Sequence, residues 1–265
     1  MVWGKFDMTS EDIEESSQRL IAVFKGDYGQ YPIEEDQRKV GRLTLSADRK
    51  TIFVTYRGSV NSLYEAISCL FFWKTSLPDL APGRVHAGLG SAFQKVNASF
   101  QRALDDLQAD VQIPRDQIKF VVEGYSRGSG LAALTALAIE EKFPKSCVNV
   151  LTYSTMNIFD EEAARHYKAL IGARHWSFLC QEDLAPRITG PLFCGFCEIG
   201  NPISFSAASS PRYCRNVANN HYAYLPSGSI ITWMMRQLIP VTYWEAHMPH
   251  TYQELAPTAF AKIHS

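Results

Sequence analysis

Gly124-Tyr125-Ser126-Arg127-Gly128 sits between an apolar, β-branched run (Ile118 to Val122) and a stretch of small and apolar residues suited to a helix (128–142). A serine flanked by glycines at ±2 is weak evidence alone, but at a strand-to-helix junction it becomes specific. The turn there is too sharp for ordinary residues, and glycine removes the Cβ atoms that would strike the adjoining strand and helix. The new helix then offers free N–H groups to an anion forming near Ser126. The chemistry this implies is nucleophilic attack by a serine hydroxyl.

A serine hydroxyl needs a base to take its proton and an acid to orient that base. On a sheet carrying such a turn, the chain order is serine, then Asp or Glu, then His. The β-type run Trp176 to Cys180 ends in Gln181-Glu182-Asp183-Leu-Ala-Pro186, so two carboxylates, Glu182 and Asp183, fall at a strand's carboxyl end, where parallel sheets carry their sites. His86, His166 and His175 precede this acid, and His264 is penultimate. His221, His247 and His250 remain, and His247 is favoured because it leads into Met-Pro249, where proline suits the first turn of a helix. His250 would lie one turn inside that helix. A tetrahedral intermediate also needs two N–H donors at its oxyanion. The backbone of Arg127 supplies one, and Thr55-Tyr-Arg-Gly-Ser59 is the candidate loop for the other, with Ser59 offering both N–H and hydroxyl.

The surrounding pattern supplies the frame. Thr9-Ser-Glu-Asp12 reads as a capping box opening an amphipathic helix, with Ile13, Leu20, Ile21 and Phe24 on one face. Arg42 to Ser46 and Thr51 to Tyr56 read as a hairpin. Residues 60–82 are helix-like and apolar, and Phe93 to Leu107 is a further helix. After the serine the alternation continues with a strand at Val148 to Tyr153, a helix at Glu161 to Leu170, the strand at Trp176 to Cys180 and a closing helix at Pro249 to Ile263. Residues 189–228 show no clean period. Alternation of this kind predicts an α/β fold with a mostly parallel central sheet covered by helices on both faces. With no repeat or linker, residues 1–265 read as one domain.

Bulk properties narrow the partners. The formal net charge is −1 with 20% charged residues, which provides no basic field for nucleic acid. No apolar stretch approaches the ~20 residues of a transmembrane helix. The segment Met1 to Asp7 has neither a basic nor an apolar leader region, so a cytoplasmic location is the expectation, with export by another route left open. Six cysteines are read as reduced thiols. Cys194-Gly-Phe-Cys197 has zinc-knuckle spacing without a second close pair, and no metal or cofactor is expected.

From about residue 40 onward the chain resembles the class 3 lipase family of α/β-hydrolases, which includes fungal triacylglycerol lipases. The landmarks are Val54-Thr-Tyr-Arg-Gly-Ser59, Val85-His-Ala-Gly-Leu89, Gly124-Tyr-Ser-Arg-Gly128, Thr152-Tyr-Ser-Thr-Met156, Asp183-Leu-Ala-Pro186 and His247-Met-Pro-His-Thr-Tyr252. The resemblance implies Ser126 as nucleophile, Asp183 as acid, His247 as base, and Ser59 with Arg127 as oxyanion donors. It also implies a helical lid at 60–82 that would make transient contact with a lipid interface, and lipid esters as substrates. The aromatic tract from Tyr222 to Trp244 would line an acyl cleft. Tyr125 stands where the family usually has His, and Arg127 where it usually has Leu. Ser129-Gly130 replaces Gly-Ala, and Ser154 and Met156 break a G-x-P pattern. The Arg127 side chain is expected near the mouth of the site, favouring carboxylated or phosphorylated esters. Phospholipase A1 and short-chain esterase activity are the alternatives within hydrolases, and a catalytically silent lipid-binding module is the alternative outside them.

Overall fold

The computed structural model describes residues 8–59, 69, 73–111, 118–143, 147–188, 194–212, 214, 243 and 246–264. The first helix, α1 (Ser10–Phe24), begins as its sequence demands: the Thr9 hydroxyl accepts from Asp12 N, and the Asp12 carboxylate accepts from Thr9 N. Strands β1 (Tyr31–Glu35), β2 (Arg38–Leu45) and β3 (Thr51–Tyr56) follow as an antiparallel meander. The β2–β3 hairpin matches the sequence pattern. β1 does not announce itself, because Pro32, Glu34 and Glu35 are poor strand formers, and it exists through its pairing with β2.

The lid expectation meets the structure only in part. Residues 60–68 and 70–72 lie outside the described residues. From Trp73 onward the helical reading fails: β4 (Lys74–Thr75) pairs with β5 (Val85–His86), and a turn covers 78–80. Pro78 and Pro82 break any helical continuation there. The next helix, α2 (Ala87–Val111), is longer at both ends than its apolar period suggests.

The remaining elements alternate. They are β6 (Lys119–Tyr125), α3 (Arg127–Lys142), β7 (Cys147–Tyr153), α4 (Glu161–Leu170), β8 (His175–Cys180), the short α5 (Ala185–Ile188), β9 (Asn201–Phe205) and α6 (Pro249–His264). Seven strands form one sheet in the order β1-β2-β3-β6-β7-β8-β9, parallel from β3 onward. β9 falls within the stretch that showed no period. This is an α/β-hydrolase architecture, a mostly parallel sheet between helical layers.

Alternation along the central strands sorts the core. Phe120 and Val122 of β6 and Val148 and Val150 of β7 pack with α2 and α3 on one face. Val121 and Tyr125 of β6, and Leu151 and Tyr153 of β7, pack with Ile13 and Leu20 of α1 and Tyr252 and Phe260 of α6 on the other. Both faces are covered, so these strands are buried along nearly their whole length.

Two interior ion pairs fix the sheet to its helices. Glu123 on β6 accepts from Arg19 of α1 (2.6 Å to Nη2) and from the Thr55 hydroxyl of β3 (2.8 Å). Arg127 opens α3 and reaches Glu35 at the end of β1, Nη2 to Oε2 2.6 Å, with both side chains 1% exposed. Removing one partner of such a pair strands a buried charge, which typically costs about 3–5 kcal/mol, whereas replacing both by apolar groups is often neutral. Arg127→Leu should therefore lower the unfolding free energy by about 3 kcal/mol or more in urea titrations, and Arg127→Leu with Glu35→Leu should recover most of that loss. Additive losses in the double variant would show that the pair is not a unit.

Candidate active site

The path into the site starts at Gly124. A Cβ added there would lie 2.2 Å from the carbonyl oxygen of Gly128, and one added to Gly128 would lie 2.4 Å from the carbonyl oxygen of Arg57. The strand, the helix and the loop after β3 thus touch backbone to backbone, which only glycine permits. Between these contacts Ser126 adopts φ 53° and ψ −123°, a left-handed backbone that holds roughly 1–3 kcal/mol of strain in a non-glycine residue. Three bonds enforce it. Ser126 N donates to Tyr153 O at 2.9 Å, and the Ser126 carbonyl accepts from Ser129 N and from the Ser129 hydroxyl. Ser129 Oγ in turn accepts from Met156 N at 2.9 Å, tying the turn to the loop after β7.

The nucleophile candidate, the favoured base and the favoured acid come together. Ser126 Oγ lies 3.0 Å from His247 Nε2, and His247 Nδ1 lies 2.9 Å from both carboxylate oxygens of Asp183. These partners assign the neutral ring's proton to Nδ1 and leave the Nε2 lone pair facing the serine. His247 lies two residues ahead of Pro249, the first residue of α6, as the sequence indicates. His250 falls in the first turn of α6 and is buried, whereas His247 is the histidine that faces Ser126. His221 lies outside the described residues. Glu182 is held elsewhere, accepting from the Ser206 hydroxyl and Ala207 N, and Asp183 is the carboxylate that faces His247.

Asp183 is fully enclosed, its side chain 0% exposed. Burial pushes its carboxyl up, but the facing His247 charge and hydrogen bonds from His247, Ser154 and Tyr252 bring it below the ordinary carboxylate value. Tyr252 of α6 donates to Asp183 Oδ2 at 2.7 Å and accepts from Cys180 N at 3.2 Å. Ala185 N donates to Asp183 Oδ1 at 2.9 Å. Tyr252 was legible only as the last residue of a motif, and Ala185 carries no side-chain signal at all. The Ser154 hydroxyl lies 2.9 Å from His247 Nδ1. In the sequence Ser154 stands out only as a departure from the G-x-P pattern.

The oxyanion candidates flank the serine. A Cβ on Gly58 would lie 3.2 Å from Ser126 Cβ, so the loop carrying Ser59 passes beside Ser126. Arg57 secures that loop from within, donating to Gly58 O, to Lys39 O and to the Tyr28 hydroxyl. Arg127 follows the serine directly. Its guanidinium is committed to Glu35 in the interior, which overturns the expectation that it lines the mouth and selects charged esters. Tyr125 packs against the His247 ring in a tilted arrangement, with centroids 5.4 Å apart and planes 35° apart. A cavity of about 330 Å³ lies beside β4, lined by Trp73, Lys74, Leu77, Gly88 and Gln94 among others, and includes no residue of the Ser126–His247–Asp183 chain.

The described cysteines are free thiols, including Cys194 and Cys197. Among the described residues no group of three or more His, Cys, Asp or Glu side chains is gathered as a metal site. Among them, too, no helix is long and apolar enough to cross a membrane. The tract from Tyr222 to Trp244 lies outside the described residues except for Tyr243, which is exposed.

A family model described as lipase (class 3) matches residues 53–193, a span that contains Ser59, Ser126 and Asp183 but stops short of His247. Among solved structures, the triacylglyceride lipase of Rhizomucor miehei is similar at 18% identity and a TM-score of 0.58, covering 74% of this chain and 81% of that one. Lipase II of Rhizopus niveus is similar at 18% identity and a TM-score of 0.55, with coverages of 75% and 82%. The lipase of Rhizopus microsporus var. chinensis is similar at 19% identity and a TM-score of 0.60, with coverages of 75% and 76%. No curated protein sequence matches significantly.

Beneath the loop that carries Ser154 runs a buried polar chain. His175 Nε2 meets the Thr152 hydroxyl at 2.6 Å, and Thr152 meets the Thr155 hydroxyl at 2.7 Å. His175 Nδ1 meets the Tyr167 hydroxyl at 3.0 Å. Burial pushes the His175 imidazole down to about 3 from an ordinary 6.5. Between those values the unfolded chain binds a proton that the folded chain refuses, so stability is full above the unfolded value and falls with decreasing pH, by about 1.4 kcal/mol per unit. His175→Gln should flatten this slope between about pH 6 and pH 4 in urea unfolding. A variant slope equal to the wild-type slope would show that other groups set the acid sensitivity.

Proposed function

Because the chain belongs to the class 3 lipase family, we propose that it is a serine carboxylic-ester hydrolase acting on acylglycerol-type lipid esters through an acyl-enzyme. The observation that supports this most directly is the continuous chain Ser126 Oγ to His247 Nε2 at 3.0 Å and His247 Nδ1 to Asp183 at 2.9 Å. In this reading Ser126 Oγ bonds to the ester carbonyl carbon while its proton passes to His247 Nε2. The N–H groups of Arg127 and Ser59 receive the developing oxyanion, and the Ser59 hydroxyl adds a third donor. Collapse breaks the bond to the alcohol, which leaves with the proton from His247. Water, deprotonated by the same nitrogen, then releases the fatty acid. The buried Asp183 charge stabilises the imidazolium formed in each half.

The fold likeness to fungal lipases adds to this reading. In one such structure, of a triacylglycerol lipase 18% identical to this chain, a serine protease triad forms the catalytic centre. The exposed indole of Trp73, at the described edge of the expected lid, supports contact with a lipid surface in this reading.

The test is hydrolysis of p-nitrophenyl esters from acetate to palmitate, of emulsified triacylglycerol and of phosphatidylcholine, for wild type and Ser126→Ala. Long-chain and triacylglycerol hydrolysis that drops by about 10⁴-fold or more in Ser126→Ala supports the reading. Activity confined to acetate and butyrate replaces it with a short-chain esterase, and preferential release of the sn-1 acyl chain of phosphatidylcholine replaces it with a phospholipase A1. A folded wild type with no Ser126-dependent turnover replaces it with a silent lipid-binding module.

A further inference from the structure

Five non-glycine residues among those described have left-handed backbones: Asp36, Gln37, Arg49, Ser126 and Ser154. The first three lie in the β1–β2 and β2–β3 connections, where tight turns call for such a conformation. The other two stand at the carboxyl ends of adjacent parallel strands, β6 and β7, and both point a hydroxyl at His247 from opposite sides. Strain at the end of β7 is therefore confined to a residue in contact with the reacting machinery, and its neighbours hold it there. Ser154 N donates to Phe178 O at 3.0 Å. The hydroxyls of Thr152 and Thr155 meet across it at 2.7 Å, and Ser177 Oγ donates to Thr155 Oγ1 at 2.7 Å. A glycine would take this backbone without strain, so the serine is there at a disadvantage that its hydroxyl must offset.

We infer that Ser154 is a fourth, positioning member of the Ser126–His247–Asp183 system, fixing the imidazole against the carboxylate throughout the proton transfers. This rests on the proposed hydrolase reading. The Ser154 oxygen lies 2.9 Å from His247 Nδ1, the same nitrogen that faces both Asp183 oxygens at 2.9 Å, and the Ser154 hydroxyl helps hold the Asp183 carboxyl below its ordinary value. One hydroxyl thus acts on both members of the dyad. The His247 side chain is 21% exposed, so its ring has solvent on one side and needs a fixed partner on the other. When His247 takes the serine proton, its Nδ1–H becomes a stronger donor, and the Ser154 oxygen is already placed to accept from it. The contact is stronger in the transition state than in the ground state, so its loss falls on kcat and not on KM.

Ser154→Ala and Ser154→Gly, beside wild type and Ser126→Ala, test this on p-nitrophenyl butyrate, with fluorophosphonate labelling of Ser126 as a second readout. The expected result is a kcat about tenfold lower in both Ser154 variants, with KM within about twofold and labelling slowed in step. The thermal midpoint of Ser154→Gly should equal or exceed that of wild type, because glycine releases the backbone strain. Wild-type kcat and labelling in both variants would overturn the inference, as would a loss of kcat that tracks a lower midpoint in Ser154→Gly. If Ser126→Ala is inert while the Ser154 variants behave as wild type, this inference alone fails. If Ser126→Ala turns over normally, the hydrolase reading fails and takes this one with it.

Discussion

The backbone contact at Gly124 and Gly128 governs the rest of the molecule. At 2.2–2.4 Å from neighbouring carbonyl oxygens, neither position has room for a Cβ, so strand, helix and oxyanion loop meet at van der Waals limits. Ser126 is forced into a left-handed turn between them, which lifts its hydroxyl clear of the sheet. Every other candidate group of the site has to reach this fixed point. The parallel sheet makes that feasible, because β3, β6, β7 and β8 all end on the same side and deliver Ser59, Ser126, Ser154 and Asp183 to one edge. The segment entering α6 then supplies His247, and α6 itself supplies Tyr252. A strained turn is tolerable only where packing over-determines it. The two-sided core along β6 and β7 provides that packing.

Charge is the second constraint. Among the described residues, three interior carboxylates stand out, and each is met by donors drawn from distant parts of the chain. Glu123 binds Arg19 and Thr55, Glu35 binds Arg127, and Asp183 binds His247, Tyr252, Ser154 and Ala185 N. The first two use fixed cations and serve as clamps. Asp183 is held below its ordinary value first by the charge that His247 can carry and then by the His247, Ser154 and Tyr252 hydrogen bonds, so its electrostatic pull is directed at the imidazole. An arginine in the same place would neutralise that pull and leave the imidazolium without its counter-charge.

These constraints explain what could be read from the sequence and what could not. Ser126, Asp183 and His247 were legible because each sits at a junction that local chemistry marks: a glycine-flanked turn, the end of an apolar run, a residue ahead of a helix-starting proline. The hairpin, the central strands and α1 were legible because their periodicity reflects burial on known faces. β1 and β9 were not, since Pro32, Glu34, Glu35, Asn201 and Pro202 are edge-strand residues that pair on one side only and carry no inward alternation. The helical reading of 60–82 failed over 73–82 because Lys74 and Thr75 pair in a two-residue ladder, while Leu77, Leu80 and Ala81 reach the core from the turn beyond it and not from a helical stripe. Arg127 was misplaced for a different reason. Adjacency to the nucleophile in sequence says where a backbone goes, while the side chain follows the helix inward to Glu35, ninety-two residues earlier.

The positions where the chain departs from the family pattern share a physical character. Arg127, Ser129 and Ser154 are larger or more polar than the residues usually found there, and none exposes its polar group to the substrate side. Arg127 is absorbed by Glu35, Ser129 by Met156 N and the Ser126 carbonyl, and Ser154 by the His247–Asp183 dyad. Tyr125 is the exception: its hydroxyl is buried and finds no partner among the described residues, and its ring packs against His247. Leaving such a hydroxyl unpaired costs about 1–3 kcal/mol, so the ring contact has to outweigh it. The candidate reacting atoms are those the family pattern implies, while the supports beneath them are built from polar residues paired within the interior. A support made of hydrogen bonds is directional where apolar packing is not. This chain therefore fixes its imidazole by orientation as well as by volume.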